Sequence, residues 1–196
     1  MSAIAIMRSG ARVDLDAPQQ RMVQLRDIAE ALAKTPMYRG ATQGFYSHAQ
    51  HSTLVAAEIV GGFHESPLVG IYALLHHALI AFESLDTWVD LKTRTKRQAA
   101  LMRTLHEGCD LDWPPPDTTV KALARAHTNV TMTELRQLCT GCDQEVAEME
   151  RGGAQPLRGL IKPLAWDRAL DRYIETLQVN AVASHLPKLP IFGDIL

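Results

Sequence analysis

Apolar positions recur at helical spacing along most of the chain, and the alternation that marks strands is confined to its start. Residues 8–18 (RSGARVDLDAP) carry turn formers around a short alternating segment. They read as an extended lead-in over residues 1–20, or a small β-ribbon. Between residues 23 and 34, Leu25, Ile28, Ala29 and Leu32 share one helical stripe, and Pro36 ends it. Residues 37–45 contain glycine and read as a loop. Ser47 suits the N-cap of a helix that runs to Gly61 and Gly62. A third helix over residues 68–82, begun by Pro67, is apolar nearly all round, the pattern of a central buried helix.

The second half is also helical. Residues 84–92 look irregular, residues 91–105 form a helix rich in Lys and Arg, and Pro114, Pro115 and Pro116 impose a rigid break. Residues 118–138 are predicted helical, with Val120, Leu123, His127, Val130 and Glu134 on one face. Gly152, Gly153 and Pro156 mark a loop. Residues 164–177 form a closing amphipathic helix through Trp166, Leu170, Tyr173, Ile174 and Leu177. No repeat is visible. The expected fold class is all-α, six or seven helices in a single domain with a short extended N-terminal segment.

Composition narrows the function classes. At 196 residues the chain can bury one sizeable core. A net charge of −2 argues against a polynucleotide partner but leaves room for a small anionic ligand held by a local basic cluster. The mildly apolar start is followed at once by Arg8 and Arg12, so no secretory signal is expected. Residues 68–82 contain two histidines and are too short to span a bilayer, so no membrane partner is expected. Three cysteines, an odd number, do not form a disulfide framework, and the cytoplasm is the expected compartment. Cys139 and Cys142 make one CxxC. A lone pair cannot build a zinc site, no βαβ pattern precedes it, and inert core thiols are the plainer reading.

Four of the eight histidines stand where imidazole is awkward. His76 and His77 lie within the most apolar helix, His127 sits on an apolar stripe, and His51 lies one turn before Leu54 and Val55. A buried imidazole must satisfy both ring nitrogens, by hydrogen bonds or by ligating a metal. If the four converge they make a site for zinc or its neighbours; otherwise each is a hydrogen-bonded core histidine. His48, one turn before His51, belongs to the same cluster or caps the helix.

Several segments carry a family resemblance. Residues 45–56 (FYSHAQHSTLVA), 74–78 (LLHHA) and 120–138 (VKALARAHTNVTMTELRQL) resemble, in order, three motifs of the HD-domain phosphohydrolases. The opening RSGARVDLDAP, the segment DIAEALAKTP and the closing helix over residues 166–177 are similar to the version common in phage and bacterial genomes. The resemblance implies an HD-domain helical bundle, with an HD core over residues 47–138 and a closing helix over 164–178. In that family a His, a His-Asp pair and a distant Asp hold one divalent metal, which polarises phosphate and activates water. Related members include 5'-deoxynucleotidases and phage deoxynucleoside triphosphohydrolases. Position by position, His51 and His76 match the first two ligands, while His77 and His127 stand where the two Asp residues belong. A homo-oligomer is also implied.

The substitutions change the chemistry expected. Four imidazoles leave the cation its full charge and favour Zn, Fe, Co or Ni over Mg. Tetrahedral coordination by four His closes the shell, whereas octahedral coordination leaves two positions open. The family's Glu one turn after the HD pair is Ile80 here. Glu83 falls on the next turn of that face and, with Asp86, is the catalytic candidate. The family's phosphate-gripping Arg is replaced by Met37, with Arg39 two residues on. Arg39 and Lys92 are the candidate phosphate contacts. The leading expectation is a metal-dependent phosphohydrolase acting on a deoxynucleotide, mono- or triphosphate. The rivals are a catalytically degenerate HD-fold module that binds a nucleotide or protein, and an HD-type iron oxygenase.

Overall fold

The computed structural model describes residues 3–82, 91–186 and 189, and the candidates Glu83 and Asp86 lie outside them. The lead-in is a two-stranded antiparallel ribbon, β1 (Ile4–Ile6) and β2 (Arg12–Asp14), in the register Ile4↔Asp14, Ala5↔Val13 and Ile6↔Arg12. Gly10 takes φ +87° in the connecting turn, a conformation that costs glycine little. The ribbon is tied down at both ends. Ser9 donates from its backbone N–H (3.0 Å) and its hydroxyl (2.5 Å) to the Asp27 carboxylate, and Arg97 forks onto Asp16 at 2.6 and 3.1 Å.

Seven α-helices follow among the described residues: α1 (Leu25–Lys34), α2 (His48–Ala57), α3 (Pro67–Leu75), α4 (Leu91–Gly108), α5 (Asp117–Leu138), α6 (Asp143–Arg151) and α7 (Trp166–Ala183). The all-α expectation of six or seven helices holds. The stripe predicted for α1 is the face that it buries, through Leu25, Ile28, Ala29 and Leu32. Ser47 caps α2, its hydroxyl oxygen accepting from the Gln50 N–H at 3.2 Å. The α2 helix lies at the centre, packed against α1, α3, α5 and α7. One apolar core takes side chains from the ribbon and from every helix except α6. Each fully buried Ile or Leu in it, such as Ile28, Leu32 and Ile71, contributes about 1.5–3 kcal/mol relative to exposure.

Three departures from the sequence pattern matter for the site. The apolar run over 68–82 is not one helix: α3 ends at Leu75, His77 has φ −100° and ψ 7°, and a 3-10 turn resumes over Ala78–Ala81. Val120 is 48% exposed, so the apolar face of α5 begins only beyond it. Between the CxxC and the glycine loop stands α6, which the apolar pattern did not mark. It buries Val146 alone of its residues, too little for a recognisable stripe.

A polar stripe on α5 fixes the long connection to α7. Asn129, Thr133 and Gln137 accept the backbone N–H groups of Gln155 (2.9 Å), Leu157 (2.9 Å) and Ile161 (2.7 Å). Spaced four residues apart, the three side chains project from one face of the helix. Farther along, Gln50 on α2 donates to the Lys162 carbonyl (2.8 Å) and accepts from Leu164 N–H (2.9 Å). These clamps hold the connection against the helices that carry the histidines. No helix among the described residues is long and apolar enough to cross a membrane.

Candidate metal centre

Side chains from three segments meet beside α2. His51 comes from the middle of that helix, His76 and His77 from the break after α3, and His127 from α5. One ring nitrogen from each lies within 4.8 Å of the others, so the four predicted ligands are brought together and could hold a metal ion. The break after Leu75 has a direct consequence. Consecutive residues on a regular helix point about 100° apart and do not face one another. With the chain off the α-helical path by His77, the two adjacent imidazoles converge, and their ring centroids are 4.0 Å apart.

Three of the four rings are each held through one nitrogen. His51, fully buried, directs Nδ1 at both carboxylate oxygens of Glu134, at 2.8 and 2.9 Å. His76 directs Nδ1 at the Ala73 carbonyl, and His127 places Nδ1 3.5 Å from the Thr131 hydroxyl. A carbonyl only accepts, so His76 carries its proton on Nδ1 and presents a bare Nε2. The Nε2 atoms of His51, His76 and His77 are buried and have no hydrogen-bond partner among the described residues.

His106 shows the alternative. It too is buried, donates Nδ1–H to the Met102 carbonyl at 2.7 Å, packs on Tyr72 and Trp113, and leaves no buried nitrogen unpaired. Buried polar atoms without partners are uncommon in folded proteins. Three of them within one cluster of four histidines match the donor set of a transition-metal site.

Electrostatics agree with that donor set. Burial, reinforced by the neighbouring His51, pulls His76 down to about 3, and burial also depresses His77 and His127. These rings are therefore neutral near pH 7, which is the form that binds a metal.

Beneath them, Glu134 is fully buried and also accepts from the hydroxyls of Tyr38 and Tyr46. Burial, followed by the charge of Glu134, raises both phenols, so they keep their protons and act as donors. Glu134 thus supplies one negative charge behind His51 and fixes its ring. Hydrogen bonding of this kind orients metal-ligating histidines and increases their basicity.

Glu134, Tyr38 and Tyr46 were not singled out by sequence reasoning as parts of the site. The available signal was that Glu134 lies two turns beyond His127 on the same face of α5. His48 does not cap α2, a role taken by Ser47. Its Nδ1 is buried without a partner, its ring lies 4.8 Å from that of His77, and burial followed by His51 lowers it to about 4.

The remaining candidates are not drawn in. Arg39 is exposed on the 3-10 turn Met37–Gly40, next to Tyr38, and Lys92 is exposed at the start of α4. No hydrogen bond or ion pair among the described residues links either to the histidines. Met37 is buried against Tyr46 and Leu138. His76, His77 and His127 are each only partly buried, so the cluster opens outward above the enclosed His51. Among known proteins, no family model matches the chain and no curated protein matches it.

Proposed function

We propose that the chain is a metal-dependent phosphohydrolase of the HD-domain type, acting on a deoxynucleotide mono- or triphosphate. The observation that carries this reading is the convergence of His51, His76, His77 and His127 with three buried, unpartnered Nε2 atoms. Neutral imidazole donors fit Zn, Fe, Co or Ni better than Mg. When bound, such a cation supplies Lewis acidity to a phosphoryl oxygen and to water.

The chain's own residues set the conditions. His51 anchors the enclosed side, and Glu134 holds it in place while offsetting one unit of the cation's charge. The Tyr38 and Tyr46 hydroxyls keep that carboxylate oriented. The partly exposed His76, His77 and His127 leave a side from which an anionic substrate can approach. Arg39 and Lys92 are the cations proposed to meet its phosphates.

The test is phosphate release from a panel of deoxynucleoside mono- and triphosphates by protein loaded with each of these metals. The reading expects turnover that a chelator abolishes and that His127→Ala lowers by about two orders of magnitude or more. Stoichiometric metal binding without turnover on any member of the panel contradicts it.

A second reading has its own support. Ile80 and the buried Met37 stand where the resemblance places an acid–base carboxylate and a phosphate-binding Arg. On that reading the fold binds a metal and a nucleotide or protein partner without hydrolysis, and binding without turnover is its expected result.

A further inference from the structure

At the far end of α5, Cys139 is the C-cap and Cys142 the N-cap of α6. The bend between them passes through Gly141 at φ +74°, a left-handed position that suits glycine. This bend brings the two cysteines onto one surface cleft, where Cys142 Sγ donates to the Thr140 carbonyl at 3.7 Å. Both are partly exposed, whereas Cys109 is buried within the main core. The cleft, of about 260 Å³, is lined by both cysteines and bordered by Arg136, Asp143 and Glu150. The two cysteines thus share one cleft, at helix ends rather than within a helix, and are open to a small reactant.

We infer that Cys139 and Cys142 form a reversible dithiol–disulfide site whose co-substrate is a low-molecular-weight disulfide taken up in this cleft. One cysteine, as its thiolate, attacks a sulfur of the small disulfide. An S–S bond forms to the protein and the first small thiolate leaves. The second cysteine then attacks the protein sulfur of that mixed disulfide, closing the Cys139–Cys142 bond and expelling the second small thiolate. The two protein thiol protons pass to the two leaving thiolates, and two electrons move from protein to co-substrate. Burial and the neighbouring Cys142 raise Cys139, which fits Cys142 as the first attacker. The inference does not depend on the function proposed for the histidine cluster.

The test uses the full-length protein and oxidised glutathione as the probe. After incubation, the protein is denatured, its free thiols are alkylated, and the products are weighed and mapped as peptides. Of the three thiols, only Cys109 is expected to remain alkylatable, with a Cys139–Cys142 bond, no retained glutathione, and full reversal by dithiothreitol. The Cys139→Ser variant is expected to stop at one glutathione on Cys142. Three free thiols, glutathione adducts on wild-type protein that do not close, or pairing through Cys109 would overturn the inference.

Discussion

His51 Nδ1 lies 2.8 Å and 2.9 Å from the two oxygens of Glu134, and both side chains are completely shielded from solvent. This pair sets the polarity of the whole cluster. With Nδ1 committed to the carboxylate, His51 can offer only Nε2, which is buried and has no partner among the described residues. A carboxylate outside the four predicted ligands therefore returns a negative charge to a site where the resemblance leads one to expect Asp at the positions of His77 and His127.

Replacing Glu134 by Gln tests that role while keeping the shape. Gln keeps an acceptor oxygen but loses the charge, so zinc affinity is expected to fall about 10–100-fold, as for other partners of metal-bound histidine. Competition against a chromophoric chelator measures it. Unchanged affinity would remove Glu134 from the account.

Acid should weaken the metal-free protein through its histidines. His48 and His76 are held neutral in the fold, down to about 4 and about 3, mainly by burial. In the unfolded chain an imidazole protonates near ~6.5. As pH falls below that value the unfolded state takes up protons that the folded state refuses, so stability is intact above it and declines towards about 3. Urea midpoints for chelator-treated protein should drop steadily between pH ~6.5 and ~4, and less so with saturating zinc. A flat profile over that interval would contradict the buried neutral cluster.

The close approach of α3 and α7 gives a packing test. A Cβ at Gly70 would stand 3.0 Å from Asn180 Nδ2 and 3.0 Å from Val60 Cγ2, whereas one at Gly61 meets nothing within 4 Å. Overpacking of this kind costs about 1–3 kcal/mol, and the helix propensity gained by Gly→Ala returns about 1 kcal/mol. Gly70→Ala should be destabilised by roughly 1 kcal/mol, and Gly61→Ala should not be. Chemical denaturation of the two variants decides this, and equal stability would show that Asn180 and Val60 yield freely.

The clamp on the α6–α7 connection predicts a local effect. Thr133→Val keeps the side-chain outline but leaves the Leu157 N–H without its acceptor, a loss of about 1–3 kcal/mol when the group stays buried. Hydrogen exchange should accelerate first at Leu157 and its neighbours. Unchanged exchange there would mean that the connection is held by other contacts.

Much of this architecture was legible in the sequence because it depends on local pattern. The apolar stripe of α1, the Ser47 cap and the central character of the run after Pro67 each follow from spacing and capping chemistry. The four histidines were legible as oddities, imidazoles on apolar faces, and the resemblance to HD-domain sequences grouped them. What was not legible depends on tertiary geometry. The helix break at His76 and His77 places two neighbouring rings on one point, yet the segment's uniform hydrophobicity reads as continuous helix. The pairing of Glu134 with His51, Tyr38 and Tyr46 joins residues far apart in the chain, and no periodicity encodes it. The α6 helix was missed because it buries so little. Ile80 and Met37 could be placed from sequence, but Glu83 and Asp86 fall outside the described residues, and no hydrogen bond or ion pair among the described residues ties Arg39 or Lys92 to the cluster.

The most direct test of the central claim, that the four histidines form one transition-metal site, is a titration of metal-free protein with Co²⁺ followed by visible absorption. The account predicts d–d bands that grow and saturate at about one cobalt ion per chain and are displaced by Zn²⁺. They should be absent from a His51→Ala variant that circular dichroism shows to be folded. A wild-type titration without such bands, or one unaffected by His51→Ala in the folded variant, would contradict it.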